Sequence, residues 1–182
     1  MISGKLVGLR ALEAADLPLL KDWRNIPDFR RNFREVRELN NYNQESWFDV
    51  TNKSRNDFMF IFTRISDGIP LGAGGLLYIN WIIRSADFSF YIGYENLYID
   101  DLGYAEDATN LLLSYGFNNL NLNKIWMELY EFDSKKLNFF KEKFNFKIDG
   151  ELRDNCFEDG QYWNSFLISL THKDYLELVN GK

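Results

Sequence analysis

The chain has one histidine, His172, and one cysteine, Cys156, so few kinds of chemistry are open to it. A tetrahedral zinc site draws on several His or Cys ligands, and no metal site is expected. A histidine-assisted nucleophile would have to be built on His172. A single cysteine excludes an intramolecular disulfide framework and fits a reducing compartment. Acid and base work falls to carboxylates, tyrosines, lysines or water. The stretch that best joins such groups to a ligand-holding backbone is Tyr91–Ala108, YIGYENLYIDDLGYAEDA. A strand ends there, a loop follows, and Gly103 enters a helix. A helix N-terminus offers unbonded N–H groups and a positive dipole end, which suit a phosphate. On spacing alone, an ordinary strand–loop–helix connection hinged at Gly103 is the simpler reading, because short glycine motifs are weak signals.

The elements around this stretch follow from periodicity and punctuation. Alternation over Leu6–Leu12 predicts a strand. Asp16-Leu17-Pro18 predicts a helix capped by Asp16, with Leu19, Leu20 and Trp23 on one face and an end near Asn25. A second helical stretch is expected over Phe29–Glu38, and a third after Asn43. Strands are expected over Phe58–Ile65, Leu71–Ile83 and Ala86–Gly93. Gly72, Gly74 and Gly75 inside the second of these suggest a bulge or a close backbone approach. A long helix opens at Gly103, with Ala105, Ala108, Leu112 and Tyr115 on one face. Lys124–Phe132 alternates as a strand, and Asp133-Ser134 caps a helix that Asn145 stops. Strands over Lys147–Arg153 and Gln161–Leu170, with a turn at Asp159-Gly160, and a last helix complete a mixed α/β (α+β) pattern.

At 182 residues, 46% hydrophobic and 26% charged, the sequence suits one domain, 1–182. The net charge of −6 argues against a nucleic-acid binder. It is compatible with a cationic substrate such as a polyamine, or simply with a solvated acidic surface. No apolar run is long enough for a membrane span, and the N-terminal residues lack the apolar core of a signal peptide, so a cytoplasmic protein is expected. Aromatics make up 17% of the chain. An exposed share of them would favour a homodimer.

Several short stretches occur in a telling order. Leu9-Arg10 through Glu13, Asp16-Leu17 and Trp23-Arg24-Asn25 come first, then Ile69-Pro70-Leu71-Gly72 and Gly103-Tyr104-Ala105 with Ala108. Tyr115-Gly116-Phe117, Leu120 to Lys124, Lys143 to Phe146, Gly150 to Arg153 and Asp159 to Tyr162 follow. In this order and spacing the chain resembles the GNAT superfamily, in the branch of ribosomal-protein alanine and spermidine N-acetyltransferases. The resemblance implies a twisted, mostly antiparallel sheet splayed at its middle strands and flanked by helices. It implies acetyl-CoA as co-substrate. The pantetheine would pair with the backbone of Phe90, Tyr91, Ile92 and Gly93. The pyrophosphate would sit over Leu102, Gly103, Tyr104, Ala105 and Glu106. A primary amine of a small molecule or peptide (a protein N-terminus, a polyamine or an amino sugar) would attack the thioester directly in a ternary complex.

The sequence departs from the family in the loop and the helix that follows the next strand. Asp100 stands where the family's loop has Gln or Arg, with Asp101 beside it, and two carboxylates repel a pyrophosphate. The loop is about two residues longer than usual, which would turn both out to solvent. Asp133 and Phe140 fall where the family has the cofactor-lining Asn and the proton-donating Tyr, and Phe has no proton to give. Tyr130 or Tyr104 is the expected substitute. Asp87, on the strand leading to the pantetheine site, is the first candidate base, and Glu128, on the neighbouring strand, the second. Trp23, Arg24 and Asn25 flank the expected acceptor site. Arg30, Arg31, Arg34 and Arg37 nearby hint at an anionic acceptor, although a solvated face laced with Glu35 and Glu38 explains them more simply. The alternative to an enzyme is a catalytically silent protein of this fold that binds acyl-CoA or a protein partner.

Overall fold

The structure, a computed structural model, describes residues 1–181. These gather into two compact units, 1–78 with 89–112, and 79–88 with 113 onward. Among the described residues no helix is long and apolar enough to cross a membrane.

The first unit holds β1 (Ile2–Ser3), β2 (Val7–Ala11), β3 (Phe58–Arg64), nearly all of β4 (Pro70–Asn80) and the later half of β5 (Ser85–Ile92). The pairings β1–β2, β2–β3 and β3–β4 are antiparallel. Val7 and Leu9 of β2, Ile61 and Phe62 of β3 and Phe90 and Ile92 of β5 are buried. The Phe62 and Phe90 rings meet at 5.1 Å. The glycines of β4 mark close approach. A Cβ on Gly72 or Gly74 would run into the backbone of β5, and one on Gly75 into that of Phe58.

Helix α1 (Leu17–Asn25) buries Leu17, Leu20 and Trp23, spaced three apart. Asp16 makes no cap to it, contrary to expectation. Its carboxylate is held instead by both Arg10 guanidinium nitrogens at 2.6 and 2.7 Å and by the Glu13 N–H. That bidentate pairing takes the oxygens a cap would have used. The helix expected over Phe29–Glu38 is also corrected, since α2 spans only Pro27–Arg30. The cause is a clamp: Asn25 Nδ2 donates to Leu39 O at 2.8 Å, and Leu39 N–H donates to Asn25 Oδ1 at 2.7 Å. A helix continued from Arg30 to Leu39 would carry Leu39 about 13 Å onward, which the clamp forbids. Helix α3 (Asn41–Lys53) starts with a reciprocal Asn40–Asn43 cap. Helix α4 (Tyr104–Ser114) buries Ala105, Ala108 and Leu112, the expected face.

The second unit has the strand order β5-β6-β8-β7, with β6 at Lys124–Tyr130, β7 at Lys147–Glu158 and β8 at Gln161–Thr171. The β6–β8 and β8–β7 pairings are antiparallel. The parallel β5–β6 ladder joins Ser85–Asp87 to Lys124–Trp126 and ends there. In β6, Ile125, Met127 and Leu129 are buried in alternation. Helix α5 (Ser134–Phe144) stops at Asn145 with φ +56°. Strand β7 runs past the expected end at Arg153, because an irregularity with Asp154 at φ +51° lets pairing resume at Cys156–Trp163. Asp159-Gly160, both at positive φ, make the tight turn to β8. Helix α6 (His172–Asn180) opens on a Thr171–Asp174 capping box.

The Asn25 clamp carries a direct expectation. Asn25→Ala leaves the Leu39 N–H and C=O without their partners and should cost about 1–3 kcal/mol, read as a lower midpoint in thermal unfolding.

Candidate active site

In the first unit, the end of β5 and the start of α4 form the backbone frame of the site. The Gly93 N–H donates to Leu71 O of β4 at 2.8 Å. A Cβ on Gly93 would overlap the Trp23 indole, so glycine is what lets Trp23 come against the strand end. The buried Tyr91 ring meets Trp23, Phe29 and Phe33 edge-on at 5.5–6.2 Å. Of the Trp23-Arg24-Asn25 triplet, two members are thus accounted for: Trp23 covers Gly93, and Asn25 clamps Leu39.

Arg24 is different. Its guanidinium lies over the Phe33 ring, 3.8 Å from the centroid. Its Nε is sealed from solvent and has no hydrogen-bond partner among the described residues. Desolvation lowers its pKa, opposed by the more distant Tyr91, Glu35 and Tyr98. Neighbouring arginines are paired, Arg30 with Glu38 at 3.7 Å and Arg37 with Glu35 at 2.6 Å. Arg37 holds the Glu35 carboxyl down to about 2. The glutamate-laced face expected from sequence is therefore present at Arg30 and Arg37.

After Gly93 the backbone folds tightly, with Glu95, Asn96 and Tyr98 all at positive φ. Ile92 and Tyr98 exchange both backbone hydrogen bonds at 2.8 Å. Asp100 follows. The loop's length predicts both carboxylates turned to solvent; Asp101 is exposed, but Asp100 is only 5% exposed. Its Oδ1 accepts from the N–H groups of Leu102 at 2.8 Å and Tyr104 at 3.0 Å, and its Oδ2 from Ala105 N–H at 2.6 Å. The physical reason is the open N-terminus of α4, whose unbonded N–H groups and dipole draw the nearest anion. Gly103, at φ +93°, supplies the turn that aims these N–H groups together. Leu102 is exposed at the loop tip, Ala105 is buried, and Glu106 is partly exposed. One turn on, Asp107 accepts from the N–H groups of Leu6 and Val7 at 2.6 and 2.8 Å, tying α4 to the start of β2.

Sequence reading passes over Arg64. Its guanidinium binds Asp67 at 2.7 Å, reaches the Tyr104 hydroxyl at 3.5 Å and lies over the Tyr94 ring. It brings a cation beside the first residue of α4. Nothing in the local sequence at the end of β3 marks it, because only the fold brings it to Tyr104.

In the second unit, Asp87 is 6% exposed and stands beside Trp126 in the β5–β6 ladder. By alternation Trp126, Glu128 and Tyr130 share the partly exposed face of β6. Glu128 accepts from Asn155 Nδ2 and Ser165 Oγ, each at 2.7 Å. The Tyr130 ring contacts Phe132. Asp133 caps α5, accepting from Lys136 N–H at 3.4 Å. Phe140 is fully buried among Phe88, Phe139, Phe144 and Phe146. Among the described residues no group of three or more His, Cys, Asp or Glu side chains could hold a metal ion.

The Trp23–Gly93 contact is open to test. Gly93→Ala forces the indole off the strand end and should destabilise the fold by about 1–3 kcal/mol, measured by denaturant unfolding.

The model of the acetyltransferase (GNAT) domain matches residues 7–142. The spermidine N(1)-acetyltransferase of Escherichia coli K12 is 32% identical over 110 residues, covering 60% of this chain and 57% of that one. The match therefore spans little more than half of the length of that relative. The spermidine N(1)-acetyltransferase of Vibrio cholerae is 29% identical over 180 residues, covering 92% of this chain and 94% of that one. The crystal structure of the Vibrio cholerae spermidine N-acetyltransferase in complex with CoA and spermine superposes with a TM-score of 0.84 at 25% identity, covering 94% of this chain and 98% of that one. A family match that takes in β2 through most of α5 leaves no doubt about kinship: the chain belongs to the GNAT acetyltransferase family.

Proposed function

We propose that the chain transfers an acetyl group from acetyl-CoA to a primary amine in a ternary complex. The observation that carries this reading is the start of α4, where three backbone N–H groups, two of them the helix's first, converge on one anion, the Asp100 carboxylate. A loop with that geometry is an anion seat. In a GNAT chain it is the place for the cofactor's pyrophosphate, with Leu102 to Glu106 around it. The backbone of Phe90 to Gly93 would pair with the pantetheine as an added strand. Acetyl-CoA brings the activated thioester; what remains for the protein is to position the amine, accept its proton and protonate the departing thiolate. Asp87, buried on β5, is our first choice for the base, and Glu128 our second. Tyr130 is proposed as the proton donor, in place of the Tyr that Phe140 replaces.

For the acceptor, the spermidine and spermine of the relatives favour a polyamine, and the net charge of −6 is in keeping with a cation. Arg24 favours a second reading. A partly buried guanidinium with an unpaired Nε beside Phe33 would repel a purely cationic chain and suits an amine that also carries a carboxylate or phosphate. Self-association is also proposed. A Vibrio cholerae relative forms a dodecamer, and this chain exposes Trp81, Ile82 and Ile83 between β4 and β5. A cytoplasmic setting belongs to the same proposal.

CoA release measured over an amine panel tests the reading. Spermidine as the preferred acceptor, with Arg24→Met neutral or improved, selects the polyamine; preference for a phosphorylated amino sugar, lost in Arg24→Met, selects the anionic acceptor. Asp87→Asn should lower kcat/KM by about 10²-fold or more, and an unchanged value removes Asp87 as base.

A further inference from the structure

The segment Tyr98–Asp100 fills, with the chain's own atoms, two places that the reading above reserves for acetyl-CoA. The first is a strand edge. Gly93 N–H points to β4, where it meets Leu71 O. Successive N–H groups along a strand point to opposite edges, so Ile92 N–H faces the edge turned away from β4. There it meets Tyr98 O at 2.8 Å, and Tyr98 N–H returns the bond to Ile92 O. Tyr98 thus pairs as an added strand would. The second place is the anion seat at the start of α4, where the Asp100 carboxylate takes the N–H groups of Leu102, Tyr104 and Ala105. The two occupants are two residues apart and both buried, Tyr98 at 8% and Asp100 at 5% exposure. The turn that delivers them holds Glu95, Asn96 and Tyr98 at positive φ, a conformation that side chains with a Cβ disfavour. The docked contacts offset that strain.

We infer that Tyr98–Asp100 is an internal occupant of the cofactor site, and that it must leave both seats before acetyl-CoA can take them. A carboxylate and a pyrophosphate cannot share the same three N–H groups, and their charges repel. Docking therefore acts as an autoinhibitory contact. If the undocked form is about one chain in a hundred, the apparent Kd rises about a hundredfold. The inference rests on the acetyl-CoA reading.

Calorimetric titration of the full chain with acetyl-CoA, comparing the parent with Asp100→Asn and Asp100→Ser, tests it. Both replacements keep a capping side chain and remove the charge. The expected result is binding at least tenfold tighter in both variants than in the parent, with a matching gain in ligand-induced thermal stabilisation. Equal or weaker binding in the variants, with the parent binding, overturns the internal occupant and leaves the acetyl-CoA reading intact. No binding by any of the three folded proteins overturns both.

Discussion

One carboxylate holds the frame of the site together. With Asp100 seated, the first N–H groups of α4 are satisfied, the loop from Gly93 is anchored at its far end, and α4 is fixed where Asp107 can take the Leu6 and Val7 N–H groups. Helix N-termini need an acceptor, and a buried one without it would cost about 1–3 kcal/mol for each orphan donor. On the proposed reading, a helix start that holds a phosphate in one state needs a substitute in the other. Water can fill that role, but here the chain supplies an anion from four residues before the helix.

Most of the fold was legible in the sequence because its signals are local. Alternation found β2 and β6, the Asp133 cap and the Asn145 stop bounded α5, and Asp159-Gly160 marked the β7–β8 turn. The failures share a cause, contacts between residues distant in sequence or choices between two local partners. Phe29–Glu38 has a helical pattern, yet the Asn25–Leu39 clamp closes the segment into a loop. Asp16 precedes a Pro-containing helix like a cap, yet Arg10 takes its oxygens. Both are tertiary or competing interactions that outweigh a propensity of a few tenths of a kcal/mol to about 1 kcal/mol.

The site was legible in outline and less so in detail. The run from Gly103 to Ala105 marked the anion seat, and the order of motifs marked the family. The orientation of Asp100 was not legible, because an acidic residue before a helix can face solvent or turn back to cap, and the choice depends on the fold of Glu95 to Tyr98. Arg64 was invisible for the same reason, since Tyr104 lies forty residues away along the chain. Trp23-Arg24-Asn25 forms one group in the sequence, yet its three members do different things in the fold. Trp23 covers Gly93, Asn25 closes a loop, and Arg24 keeps a buried donor, its Nε, that no described residue uses.

The seat itself can be read without any ligand. The N–H groups at the beginning of a helix exchange quickly with solvent unless something bonds them. Amide hydrogen exchange of the ligand-free chain, resolved at Leu102, Tyr104 and Ala105 by NMR, therefore reports directly on whether Asp100 is docked. The account predicts slow exchange at all three, together with Ile92 and Tyr98, and a common loss of that protection in Asp100→Ala, which has no side-chain acceptor. Fast exchange at Leu102, Tyr104 and Ala105 in the folded parent chain would contradict it.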